Sequence, residues 1–115
     1  MRRFAAKVIM IVYEVTASVA PDQREAYESY MVTVHINEVL ATRRFVHAIF
    51  AGREGKYRTA YFAEDQAALD EYLERDAAEL RDEMMRQFPE GVSYSREVFD
   101  VFANQGSAES SVFSR

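Results

Sequence analysis

Val8-Ile-Met-Ile-Val-Tyr-Glu-Val-Thr-Ala-Ser-Val19 is the longest β-branched run in the chain, and only Glu14, Thr16 and Ser18 interrupt its apolar character. Strand side chains alternate between faces. Ile9, Ile11, Tyr13, Val15, Ala17 and Val19 therefore share one face, which is apolar throughout and suited to packing under helices. Met10, Val12, Glu14, Thr16 and Ser18 share the other, apolar early and polar late. The run reads as a central strand with one charge, Glu14, on its second face.

Working outward from this strand, Pro21-Asp22 ends it and opens a helix expected to reach about Ala41. Proline suits a first turn, and Asp22 and Glu25 suit the positive end of the helix dipole. Tyr27, Tyr30, Met31, Val32, Val34, Ile36, Val39 and Leu40 spread over more than one stripe of that helix. Such a wide apolar arc calls for two buried contacts, its own sheet and a partner. Phe45–Ala51 reads as a second strand, Gly52-Arg53-Glu54-Gly55 as a hairpin turn, and Lys56–Ala63 as a third strand. Asp65 is a good N-cap for a second helix. There Leu69, Leu73, Ala77, Leu80, Met84 and Phe88 recur at spacings of three and four, with Tyr72 beside them. Glu71–Arg75 and Asp82–Arg86 are expected as exposed i,i+4 pairs. Pro89-Glu90-Gly91 stops the helix, and Val92–Phe102 is the fourth strand.

The order β-α-β-β-α-β is the split-βαβ, ferredoxin-like α+β arrangement: a four-stranded antiparallel sheet with two helices on one face. The first and third strands should be the central pair, and we expect that pair to run parallel. The single domain should occupy residues 8–102, with 1–7 a frayed leader and 103–115 a disordered tail. The sheet face without helices should hold Met10, Val12, Glu14, Thr16 and Ser18 from the first strand and Arg58, Ala60 and Phe62 from the third. From the fourth we place Tyr94, Arg96 and Val98 there. A one-residue slip in phase would reverse any of these assignments.

Composition narrows the chemistry. The chain has 115 residues, 49% of them hydrophobic and 29% charged, which is enough for one core. The net charge of −5 argues against general nucleic-acid binding, which needs a basic surface. Cysteine is absent, which excludes disulfides, thiolate catalysis and cysteine-ligated metal, and fits a cytoplasmic setting. Two histidines far apart, His35 and His47, are too few for a typical histidine-rich metal site. No metal or other cofactor is expected. After the basic start, Lys7 breaks the apolar run before a signal-peptide core can form, and the apolar stretch that follows is too short for a membrane span. There is no Gly-rich phosphate loop, nucleophile elbow or H-E-x-x-H.

The stretch Met10-Ile-Val-Tyr-Glu-Val-Thr16 resembles the opening of a family of small uncharacterised bacterial proteins. That family is placed with the dimeric α+β barrels, the superfamily that includes the antibiotic-biosynthesis monooxygenases. The likeness continues at His35-Ile36, Val39-Leu40, Phe45, Tyr57 and Tyr61. It extends through Ala68-Leu69, Tyr72-Leu73, Leu80, Phe88 and Arg96, and so covers roughly residues 10–102. Family members begin at the methionine matching Met10, which would make residues 1–9 an extension or an upstream start. Two positions depart from the family pattern: Ala60 stands where a glutamine is common and Asp76 where a histidine is common. The resemblance implies the fold and a homodimer formed through the open sheet face, and it carries no established activity.

Four residues stand out as candidate ligand contacts: Glu14, Arg58, Arg96 and His35. Glu14 and Arg96 fall on neighbouring antiparallel strands and could clamp a ligand, since a guanidinium binds anions in a fork. The plainer alternative is a structural ion pair. His35 could be a general base, or a histidine held by a hydrogen bond at an interface. No residue is assigned a catalytic role. Three functions compete: a homodimer binding a small molecule in its barrel, a cofactor-independent monooxygenase- or isomerase-like enzyme acting on an aromatic or polyketide-like substrate, and a protein-interaction or regulatory module.

Overall fold

The computed structural model describes residues 5–107; the expectations for residues 1–4 and 108–115, including most of the tail, lie outside the described residues. Residues 5–9 and 102–107 carry no helix or strand. Strand β1 is Met10–Val19. After a 3-10 turn at Pro21–Gln23, the first helix is built in three consecutive pieces: α1 (Arg24–Tyr30), a π-helical turn (Met31–His35) and α2 (Ile36–Ala41). Strands β2 (His47–Arg53) and β3 (Lys56–Ala63) follow. The second helix repeats the three-piece plan with α3 (Gln66–Glu71), a π-helical turn (Tyr72–Asp76) and α4 (Ala77–Gln87), before β4 (Val92–Val101).

The four strands form one sheet in the order β2-β3-β1-β4. Every pairing is antiparallel, so the expected parallel central pair is corrected: β1 and β3 run in opposite directions. The reason lies in the connections. The first helix returns the chain to lay β2 parallel to β1 but two places away, and the tight hairpin then reverses it into the gap between them.

Phase is as expected on β1 and β3. Ile11, Tyr13, Ala17 and Val19 are buried under the helices, as are Tyr57, Thr59, Tyr61 and Ala63. Val12, Glu14 and Thr16 look out of the other face beside Phe62, Ala60 and Arg58, their partners in register. On β4 the expected phase is wrong. Tyr94, Arg96 and Val98 stand opposite Ala17, Val15 and Tyr13. Directly opposed residues share a face, so these three lie on the helix side. Ser93, Ser95, Glu97, Phe99 and Val101 take the open face.

The hairpin is tighter than the glycine spacing suggests. Gly52 and Arg53 belong to β2, and the turn is Glu54-Gly55 alone, with φ of 53° and 82°. Two consecutive left-handed residues are the signature of a two-residue turn that matches sheet twist. Gly52 serves a different end: a Cβ there would collide with the Tyr57 ring. The strand β2 starts later than expected, at His47, and Phe45 is a buried residue of the preceding loop.

The π turns also correct the second helix. Ala77 donates its backbone N–H to the Tyr72 carbonyl, five residues back. That extra residue rotates the apolar stripe, so Tyr72 is buried while Leu73 is 38% exposed. Neither expected i,i+4 ion pair forms. Arg86 pairs with Glu83, and Glu71 joins Asp76 in holding Arg44 from the loop before β2. In the first helix Tyr27, Met31 and Val39 face the core, whereas Val32, on the second apolar arc, is 60% exposed.

Candidate functional site

Between the helices and the β1–β4 side of the sheet lies a cavity of about 170 Å3. Its floor is aromatic. Tyr27, Tyr61 and Tyr72 contribute rings that are at most 5% exposed, with the equally buried Thr59 between them. Half-buried His35 and Tyr94 stand midway. The exposed side chains of Arg81, Met85 and Arg96 line its outer end. The sheet supplies Thr59 and Tyr61 because alternate positions of β3 face inward. Both π turns reach the cavity too, through Met31 and His35 on the first helix and Tyr72 on the second. Wide turns of this kind recur at functional sites.

The polar groups here are not used up by the fold. Among the described residues, three buried side-chain atoms lack a hydrogen-bond partner: His35 Nδ1 and Tyr94 Oη, which line the cavity, and Tyr30 Oη, which does not. A buried orphan of this kind costs about 1–3 kcal/mol, so it calls for a ligand or a water. Burial, with the nearby Arg96 charge second, pulls the His35 imidazole down to about 4. At neutral pH it is an uncharged ring, able to donate from one nitrogen and accept at the other. Burial pushes the Tyr94 phenol up to about 12 and raises Tyr27, Tyr61 and Tyr72 further. The tyrosines are hydrogen-bonding groups without charge. The Arg96 guanidinium lies over the Tyr94 ring, 5.5 Å from its centroid. No carboxylate lies within ion-pair distance of it among the described residues.

The four sequence candidates therefore separate into two pairs. His35 and Arg96 line the cavity on the helix side. Glu14 and Arg58 lie on the open face and pair with each other at 2.7 Å. The expected Glu14–Arg96 clamp is corrected: β4 has the opposite phase, and Glu14 stands opposite Glu97. Glu14 is well covered, its side chain 14% exposed against 63% for Arg58, so Arg58 supplies the countercharge to both acids from the outside. His47 is exposed on the outer strand beside Phe62. Of the two departures from the family pattern, Ala60 packs on the open face opposite Glu14, and Asp76 accepts a hydrogen bond from Arg44 at 3.0 Å. Sequence reading did not name Tyr94, Arg81 or any individual tyrosine of the floor as a site residue. The signal present was the count of seven tyrosines, five of which line this one cavity.

Among the described residues no group of His, Cys, Asp and Glu is arranged to hold a metal ion, and no helix is long and apolar enough to cross a membrane.

Solved structures share the fold. The crystal structure of MupZ from Pseudomonas fluorescens superposes with a TM-score of 0.65 at 13% identity, over 85% of this chain and 73% of that one. A putative antibiotic biosynthesis monooxygenase from Nitrosomonas europaea gives a TM-score of 0.63 at 15% identity, over 91% of this chain and all of that one (100%). Rv0793 from Mycobacterium tuberculosis gives 0.57 at 16% identity, over 87% and 99%. At these identities the likeness shows a common fold. No curated protein matches the chain. Residues 10–102, from the first residue of β1 to just past the end of β4, match the model of one family, and the chain belongs to that family, the domain of unknown function DUF4286.

Proposed function

We propose that this protein is a small-molecule-binding homodimer, with its ligand held in the cavity between sheet and helices and its partner on the open sheet face. The observation that carries the binding function is the pair of unpartnered polar atoms, His35 Nδ1 and Tyr94 Oη, in a cavity floored by buried aromatic rings. A core that needed only to be stable would close this space, since voids and orphaned polar groups both cost free energy. This moves the expected ligand out of the barrel between two sheets and into each protomer.

The open face supports the dimer. Part of it is apolar: Phe62, Val12 and Phe99 stand in one row across three strands, Phe99 45% exposed, and Ile49, 41% exposed, stands in the next row opposite Ala60. A contiguous apolar patch of this kind is ordinarily covered in solution. The Glu14–Arg58 pair would then be a structural feature of the interface. The absence of cysteine fits a cytoplasmic location. The enzyme alternative rests on fold likeness alone.

Ligand-observed NMR with a panel of single-ring compounds tests the binding function. Binding that is lost in the cavity-filling Leu80→Phe variant is the expected result. A panel with no binders, or binders indifferent to Leu80→Phe, would overturn it. Light scattering after size exclusion tests the assembly: a dimer mass is expected, and a concentration-independent monomer would contradict it.

A further inference from the structure

Every charged side chain that lines the cavity has the same sign. They are Arg81 and Arg96, and no Asp or Glu lines it. In a chain with 19 acidic and 14 basic residues that selection goes against the overall charge. Acidic residues are abundant on the adjoining helix, at Glu79, Asp82 and Glu83 beside Arg81, yet they do not contribute to the lining. The polarity is also graded with depth. Buried rings lie at the bottom, neutral hydrogen-bonding groups midway, and guanidinium side chains at the exposed end.

Size sets the next limit. A cavity of roughly 150 Å3 accommodates one benzene ring. This one, at about 170 Å3 and open at its outer end, has room for a single ring within it. The floor of Tyr27, Tyr61 and Tyr72 offers ring edges and faces for offset or edge-to-face contact with such a ring.

Resting on the reading of this cavity as the binding site, we infer that its ligand is a single aromatic ring bearing a carboxylate, with the ring on the tyrosine floor and the carboxylate directed to Arg96. A guanidinium presents paired donors that match the two oxygens of a carboxylate, a match a single phenolate oxygen cannot make. Stacking on Tyr94 holds that guanidinium over one wall of the cavity. The neutral His35 ring and the Tyr94 hydroxyl stand between floor and charge, where a ring substituent or the inner carboxylate oxygen would meet them. Arg81 adds positive potential on the opposite side, from α4.

The test is calorimetric titration of the full chain with benzoate, benzyl alcohol and benzylamine, which share one ring and differ in charge. Benzoate is expected to bind at least tenfold more tightly than benzyl alcohol, and benzylamine more weakly than either. Arg96→Gln should abolish the preference for benzoate while leaving the affinity for benzyl alcohol within twofold. That variant alters an exposed side chain with no ion pair among the described residues, so the fold should be retained, and an unchanged circular dichroism spectrum checks it. Benzyl alcohol binding as tightly as benzoate would overturn the charge assignment and leave the cavity as a binding site. An Arg96→Gln protein that keeps the preference would overturn the role of Arg96. Failure of all three compounds to bind would overturn the inference together with the binding function on which it rests.

Discussion

On the covered face of the sheet Tyr13, Tyr57 and Tyr61 are at most 5% exposed, while Val12, Arg58 and Phe62, their neighbours along the same strands, look outward. Each face carries one arginine of special interest. On the open face Arg58 is matched to Glu14. On the covered face Arg96 has an aromatic ring beneath it and no matching acid among the described residues. A charge already satisfied within the chain has little left to offer a ligand, whereas one left unmatched over a cavity does. This contrast is what supports the proposal that the open face serves assembly and the covered one recognition.

The largest effect should separate adjacent residues of β3. Tyr61→Ala removes a ring that is 2% exposed and should cost about 3–5 kcal/mol, seen as a lower urea midpoint with an unchanged slope. Phe62→Ala, one residue along and on the other face, should cost distinctly less in the same experiment. The reverse order would break the assignment of faces.

Assembly should respond the opposite way. Phe62→Asp places a charge in the apolar part of the open face, and it should convert the proposed dimer to a folded monomer by light scattering. Tyr61→Ala should weaken the protomer without changing the mass of whatever remains folded.

A pH effect sharpens the covered side. His35 in the folded chain takes up a proton only near pH 4, against an ordinary value of 6.5. Between those values the unfolded chain binds more protons. Stability is therefore undiminished above pH 6.5 and falls as the pH drops toward 4, by about 3 kcal/mol in all. His35→Gln should flatten that part of the stability profile, and an unchanged profile would show that the imidazole is not held neutral by burial.

The smallest contrast is between the two arginines. Arg58→Gln strands the covered Glu14 carboxylate near Glu97 and should lower the thermal midpoint. Arg96→Gln breaks no ion pair among the described residues and should leave the midpoint where it is. Equal losses would mean that Arg96 is as much a structural residue as Arg58.

How far these faces were readable from sequence differs from strand to strand. β1 and β3 were legible because one of their two alternating sets is almost wholly apolar, as in Ile11, Tyr13, Val15, Ala17 and Val19. β4 was not, because in VSYSREVFDV both sets mix apolar and polar residues. The set with Tyr94, Arg96 and Val98 looks no more suited to a core than the set with Ser95, Glu97 and Phe99. At this edge the covered face is itself half open: Val98 is 48% exposed, so an arginine is tolerated there and the pattern carries no decisive signal. The π turns were equally hidden. A regular helix would place Leu73 on the stripe with Leu69 and Leu80, and only the extra residue at Tyr72–Asp76 exchanges it for Tyr72. The cavity depends on both features, so its residues could be nominated singly, as His35 and Arg96 were, but not assembled.

A crystal structure of the protein grown with benzoate tests most directly whether the two faces divide recognition from assembly. The expected result is the ring among Tyr27, Tyr61 and Tyr72 with its carboxylate toward Arg96, and a second protomer covering Val12, Phe62 and Phe99. Benzoate held between two sheets beside Glu14 and Arg58, with the tyrosine cavity unchanged, would contradict it.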